Sequence, residues 1–189
     1  MASDGGAFTA SRYTFNPNQG LRLSGGLTDT TNYSVVMTAS INSLSPAFKK
    51  VIDFQSRTSD QGLYFVGSTP ILIPGAAGAG AVAANQDFNL ALTRDSATGI
   101  TRMYLNGVLS QTYSGGASSA AIPGGNVLTF FEDDLLFGSG EAVGGSVHYI
   151  AIYNGALTGA DVNDIFINGP AVPPTVSVNQ GTRTVDEGL

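Results

Sequence analysis

The stretch DFNLALTRDSATGITRMYLNGVLSQTY, residues 87–113, decides how the rest of the chain is read. Phe88, Leu90 and Leu92 alternate with Asn89, Ala91 and Thr93. That two-residue period marks a half-buried strand over 87–94. The turn DSATG at 95–99 separates it from a second β-like run at 100–105. Asn106-Gly107 comes next, and both residues tolerate positive φ, so the pair predicts a type I′ hairpin with 108–113 as the returning strand.

Outward from this hairpin, short apolar runs bounded by Gly, Pro, Asn and Ser recur. Strands are expected over 33–40, 49–55, 62–66, 71–73, 127–131 and 146–153. In 49–55, Val51 and Asp53 are expected on one face and Ile52 and Phe54 on the other. Strand following strand, with turn signals between, predicts an all-β, two-sheet antiparallel sandwich rather than βαβ units. One helix is expected after the last strand. Thr158 with Asp161 forms a capping-box pattern, Val162, Ile165 and Phe166 give one apolar stripe, and Asn168-Gly169-Pro170 ends it. The composition then turns Pro-rich, so residues 1–170 read as one domain and 171–189 as a stiff linker with the truncated first strand of a following repeat.

Composition bounds the function. The chain has 189 residues with 42% hydrophobic content, enough for a sizeable core, but only 12% charged residues, about half the usual share. Its 25 glycines suit a fold with many tight turns. Eight basic residues without a cluster and a net charge of −6 argue against nucleic-acid binding. The absence of cysteine excludes disulfides and thiolate chemistry. No apolar run is long enough to span a bilayer, so no direct membrane insertion is expected. The opening MASDGGAFTA lacks the basic and apolar regions of a signal peptide, and a targeting segment is expected elsewhere in a longer protein.

Three stretches together resemble a LamG-like, concanavalin A-like jelly roll. Asn89 to Asp95 followed by Thr101 to Leu109 is similar to the family's strand, loop and strand ending in YVNG. GSVHYIAIYNGALT, residues 145–158, resembles the last core strand running into a short helix. LTFFEDD at 128–134, followed by Gly140-Glu141-Ala142, is similar to a variant in bacterial secreted relatives. The resemblance covers roughly residues 30–168 and implies a jelly-roll sandwich with one short C-terminal helix. The tail, 174–188, is similar to the opening of bacterial cadherin-like or Ig-like repeats. That likeness implies a secreted or surface-displayed adhesin-like protein whose neighbouring domains lie on the same polypeptide. At His148 the family often has an acidic residue; His148 alternates with Ile150 and Ile152 and is expected to face the core.

Candidate chemistry is sparse. Glu132, Asp133, Asp134 and Glu141 form the densest acidic cluster. Oxygen ligands on a loop suit calcium, which makes Asp133 and Asp134 the candidate metal ligands; the resemblance implies calcium as a structural or ligand-bridging ion, and a solvated acidic turn is the other reading. Catalytic relatives carry E-x-D-x-E or E-x-D-x-x-E on one strand, a pattern this chain lacks. His148 is the sole histidine, with no G-x-S-x-G elbow to serve, so no Ser-His-Asp device is expected. The run 75–84 contains G-x-G-x-x-A, but without a βαβ setting it reads as a flexible small-residue loop. There is no Trp to stack a sugar ring; Tyr113, at a strand end beside Ser114-Gly115-Gly116, is the candidate exposed platform. Asp29, Asn106 and Glu141 join it as candidate ligand-binding residues at the sandwich rims. The reading is a non-catalytic extracellular module that recognises glycan or another cell-surface ligand, with calcium as a candidate cofactor. A structural spacer and an accessory domain of a secreted polysaccharide hydrolase are the alternatives.

Overall fold

The computed structural model describes residues 1–45, 48–114, 120–136 and 140–170. The linker and strand expected over 171–189 lie outside the described residues. In chain order the strands are β1 (Ala2–Ser3), β2 (Ala7–Phe8), β3 (Tyr13–Phe15), β4 (Leu21–Ser24), β5 (Tyr33–Ile41), β6 (Phe48–Asp53), β7 (Gly62–Val66), β8 (Thr69–Ile73), β9 (Phe88–Asp95), β10 (Ile100–Leu105), β11 (Val108–Tyr113), β12 (Val127–Phe130) and β13 (Gly145–Tyr153), followed by helix α1 (Gly159–Asn168). They form two antiparallel sheets, one of six strands in the order β1-β4-β12-β6-β7-β8 and one of seven in the order β11-β10-β9-β5-β13-β3-β2. Among the described residues no helix is long and apolar enough to cross a membrane.

The alternation in residues 88–92 places Phe88, Leu90 and Leu92 in the core between the sheets, beside Val35, Met37, Leu63, Phe65 and Phe130. Ala91 points the other way and meets Val162 and Ile165 of α1, with Val36 and Tyr104. The helix thus covers the outer face of the seven-stranded sheet. Its cap is the expected box: the Thr158 hydroxyl accepts from the Asp161 amide and the Asp161 carboxylate accepts from the Thr158 amide. Phe166, expected in the apolar stripe, is 41% exposed; it lies at the helix end over the Asn106–Gly107 turn rather than against the sheet. That turn has φ of 49° and 78°, as a type I′ hairpin requires.

Two strand expectations fail at bulges. Register slips between Lys50 and Ile52 in the β6–β7 pair, leaving Val51 as the extra residue. Val51 and Ile52 therefore both reach the core, and Asp53 does not share a face with Val51. Register also slips between Val147 and Tyr149 against β5. Val147 stays in the core, but His148 is turned outward, with Nε2 2.9 Å from Asp87 Oδ2. His148 does not face the core, because the bulge breaks the alternation on which that expectation rested.

The small-residue run 75–84 is not a free loop. It leaves β8 at the edge of one sheet and is stitched to β11 at the edge of the other. Ala79 and Ser110 exchange backbone and side-chain bonds, Gln111 Nε2 donates to Ala77 O, and Val82 is buried in the core. Small residues are required here: a Cβ on Gly78 would lie 2.2 Å from the Ser110 hydroxyl. Tyr113 completes the stitch. It is buried, not exposed; its hydroxyl accepts from Leu72 N at 3.1 Å and donates to Ala76 O at 2.9 Å.

Thr158→Ala is expected to cost about 1 kcal/mol through loss of the cap. Tyr113→Phe is expected to cost about 1–3 kcal/mol, because it leaves the Leu72 amide buried without its acceptor. Urea unfolding curves of each variant against the parent check both values.

Candidate functional site

The outer face of the six-stranded sheet carries the chemistry. Leu63 and Phe65 of β7 point into the core, so Tyr64 between them points out, and Lys50 of β6 lies opposite it. This face is not solvent-washed, since Lys50, Asp53 and Tyr64 are all fully buried. The loop joining β6 to β7 and the segment after β12 fold over them. The described parts of that segment are tied to β6 at two places, where Phe131 N donates to Val51 O and where Lys50 N donates to Glu141 O.

Arg57 clamps the two coverings together. Its guanidinium donates to Glu132 Oε2 at 2.9 Å and to the Asp133 carbonyl, while its own carbonyl accepts from Leu135 N. Asn18 Oδ1 accepts from the Asp133 amide on a third side. Asp133 serves the same purpose: its Oδ1 accepts from Asp134 N and its Oδ2 from Glu141 N. Both carboxylate oxygens of Asp133 are thus spent shaping the loop.

The shaped loop brings Asp134 and Glu141 together with Asp60, one oxygen from each lying within 4.8 Å of the others. Asp133, expected beside Asp134 as a ligand, is not in this group, and Asp60 takes its place. Asp60 Oδ1 accepts from the Tyr64 hydroxyl at 2.9 Å. Glu141 Oε2 is buried with no hydrogen-bond partner among the described residues. The Lys50 ammonium stands 2.9 Å from Asp53 Oδ2 and 3.9 Å from Asp134 Oδ2, and it also donates to Ser59 O. Burial, then the neighbouring Asp60 and Asp133 charges, push the Glu141 carboxyl up to about 6. Burial likewise raises Glu132 to about 7, against the pull of Arg57. Lys49, which donates to Gly140 O, is lowered by burial, with Glu141 and Asp133 opposing.

The donor set suits a hard divalent cation. Calcium takes 6–8 oxygens at 2.3–2.6 Å, so ligand oxygens spread over at most 4.8 Å fit around one ion. An unpartnered carboxylate oxygen is itself such a donor. Nothing in the sequence pointed to Asp60, which lies in the polar run SRTSDQG at 56–62; only its turn position before a strand hinted at loop chemistry.

The other candidate residues lie apart. Asp29 is exposed in the loop before β5, where the Thr31 hydroxyl and amide bind its carboxylate and hold it below the usual range. Asn106 sits at the opposite end of the seven-stranded sheet, its Oδ1 accepting from Asn89 N. The structure does not bring Asp29, Asn106 and Tyr113 to one rim with Glu141.

The fold is similar to Trypanosoma rangeli sialidase in complex with 2,3-difluorosialic acid, with a TM-score of 0.68 and 14% identity over 89% of this chain and 29% of that one. It is similar also to domain 4 of AbnA, a GH43 extracellular arabinanase from Geobacillus stearothermophilus, in complex with arabinotriose; here the TM-score is 0.58 and identity 21% over 82% of this chain and 75% of that one. The chain thus spans 28–29% of the length of the sialidase structures it matches. No curated protein sequence matches it. The family model described as the Concanavalin A-like lectin/glucanases superfamily, Laminin_G_3, matches residues 15–163. With two antiparallel sheets, a capped helix after the last core strand and a family match over most of its length, the chain belongs to the concanavalin A-like lectin/glucanase superfamily.

Proposed function

We propose that this domain is a non-catalytic, extracellular carbohydrate-binding module in which calcium, held by Asp60, Asp134 and Glu141, orders the surface that meets the glycan. The observation that carries it is the convergence of these three carboxylates, one with a buried and unpartnered oxygen, on a loop built by the Arg57 clamp. A bound calcium supplies a fixed positive charge and open oxygen coordination, to which sugar hydroxyls bind well. The similarity to an arabinanase domain in complex with arabinotriose supports carbohydrate as the ligand class. Non-catalysis is supported by the arrangement of the acids. Glycoside hydrolysis uses two carboxyls facing each other across a bond, one of them free to act as nucleophile or base. Here both oxygens of Asp133 accept from loop amides, Asp53 is ion-paired with buried Lys50, and Glu132 is held at Oε2 by Arg57 with its other oxygen buried. In the longer protein that the tail suggests, such a module would tether neighbouring domains to a glycan-coated surface. As the accessory domain of a secreted hydrolase it would hold the enzyme on its polymer by the same contacts.

Calcium is expected to raise the melting temperature by about 2–4 °C for each kcal/mol of binding energy. Glu141→Gln should lose most of that increment, and in chelator at neutral pH it should melt no lower than the parent, because it removes a buried carboxylate charge. Equal melting of the parent with and without calcium would remove the metal from the proposal. Glycan-array binding lost on chelation would support the whole of it, and an array blank in calcium would defeat the carbohydrate reading.

A pH series without calcium provides a second check. Glu141 and Glu132 have folded pKa values near 6 and 7, above the 4.5 of an ordinary glutamate. Between those limits the folded state holds protons that the unfolded chain has released, so stability falls as pH rises from about 4.5 to 7. Glu141→Gln is expected to flatten the lower part of that decline in urea unfolding at successive pH values. With calcium present the trend through pH 6 should weaken or reverse, because the ion binds the carboxylate form.

A further inference from the structure

A cleft of about 290 Å³ opens over the outer face of β4 and β12, lined in part by Arg57 and by none of the three grouped carboxylates. Its floor is Arg22 of β4 and Thr129 of β12, which are cross-strand partners. Val127 and Leu135 supply apolar walls, and Leu135 is 71% exposed with nothing among the described residues covering it. Asp4 and Arg57 stand at the rim. Glu132 also lines the cleft. It is 97% buried by its 3% relative exposure, its Oε2 is bound by Arg57, and its Oε1 has no hydrogen-bond partner among the described residues. A buried carboxylate oxygen without a donor is costly and calls for one. Gly20 is what lets the Glu132 stem lie there: a Cβ at Gly20 would come 1.8 Å from Phe130 O and 2.9 Å from Glu132 Cγ.

We propose that this cleft is a saccharide subsite that receives one neutral, hydroxyl-rich sugar residue, a hydroxyl donating to Glu132 Oε1, another accepting from the Arg22 guanidinium, and the ring's C–H face lying on Leu135 and Val127. The proposal rests on the carbohydrate reading above and adds to it a second place of contact and a substrate class. The volume lies just below the range for small-molecule sites, about 300–1,000 Å³, so it suits a single ring. The charge balance selects a neutral ligand. Arg57 is committed to Glu132, and Arg22, the other guanidinium in the lining, shares the cleft with Asp4 and Glu132 in a chain that carries −6, so an acidic sugar would bring a further carboxylate to two already there with a single cation to offset its desolvation. A sugar hydroxyl is both donor and acceptor, which is what an unpartnered carboxylate oxygen beside an exposed guanidinium can use.

The test is two-dimensional NMR of the isotope-labelled full chain in calcium, titrated to millimolar concentration with arabinotriose, cellotriose, lactose and sialyllactose. At least one neutral oligosaccharide is expected to move the Arg22 side-chain N–H together with the amides of Ser56 and Thr129. Arg22→Ala and Leu135→Ser, both at exposed positions, should each weaken that binding about tenfold or more while leaving melting unchanged. Binding confined to the amides around Asp60, Tyr64 and Glu141 and indifferent to Arg22→Ala would overturn the cleft and leave the carbohydrate reading standing. Preferential binding of sialyllactose at Arg22 would overturn the neutral-sugar assignment. The absence of shifts with every oligosaccharide would overturn both.

Discussion

A buried cation organises this molecule's working face. The Lys50 ammonium lies 2.9 Å from Asp53 with neither side chain exposed, on the side of the six-stranded sheet that faces away from the core. Removing two charges from water costs several kcal/mol per ion, and their attraction offsets this only with close geometry and further hydrogen bonds to each partner. Those bonds come from the loop after β6: Ser59 O accepts from Lys50, and the amides of Gln55 and Arg57 donate to Asp53 Oδ1. Satisfying the pair therefore folds the loop over the sheet, and that fold sets Arg57 where it can hold Glu132 and Asp133. Asp60 and Glu141 arrive over the same face as a consequence. A chain with so few charges has placed many of them in one covered patch.

Bulges decide which side chains reach that patch and which leave it. An unbroken β6 would have alternated Val51 with Ile52; the extra residue sends both into the core. In β13 the same device turns the single histidine out to Asp87, which Arg12 also holds with a two-pronged contact at 3.3 Å. Each bulge gains a functional or surface orientation without interrupting burial on the inner face, because the residues on either side resume the core pattern.

The sandwich edge between β8 and β11 follows a different economy. Open sheet edges expose unpaired amides and carbonyls. The Gly- and Ala-rich run between β8 and β9 covers one such edge by binding Pro70, Ser110 and Ser68 with its own backbone. Large side chains would hold the two sheets apart, so small ones are used, and Tyr113 spans the gap with its hydroxyl.

Local grammar is legible in the chain. Asn106-Gly107 specifies its turn because two adjacent residues accept positive φ. Thr158 and Asp161 specify a helix start because two side chains meet two neighbouring amides. Phe88, Leu90 and Leu92 specify a strand and its inner face because pleating has a period of two. The first four strands were not legible, since runs of two to four residues carry too little periodicity to stand out. Tertiary structure alone decided that Lys49 and Lys50 are buried, that Tyr113 is a tie rather than a platform, and that Asp134 and Glu141 find Asp60 rather than Asp133. The reason is the same in each case. Burial of a polar group is settled by partners distant in the chain, and one shifted residue in a strand exchanges inside for outside, so neither outcome is written in any short stretch of sequence.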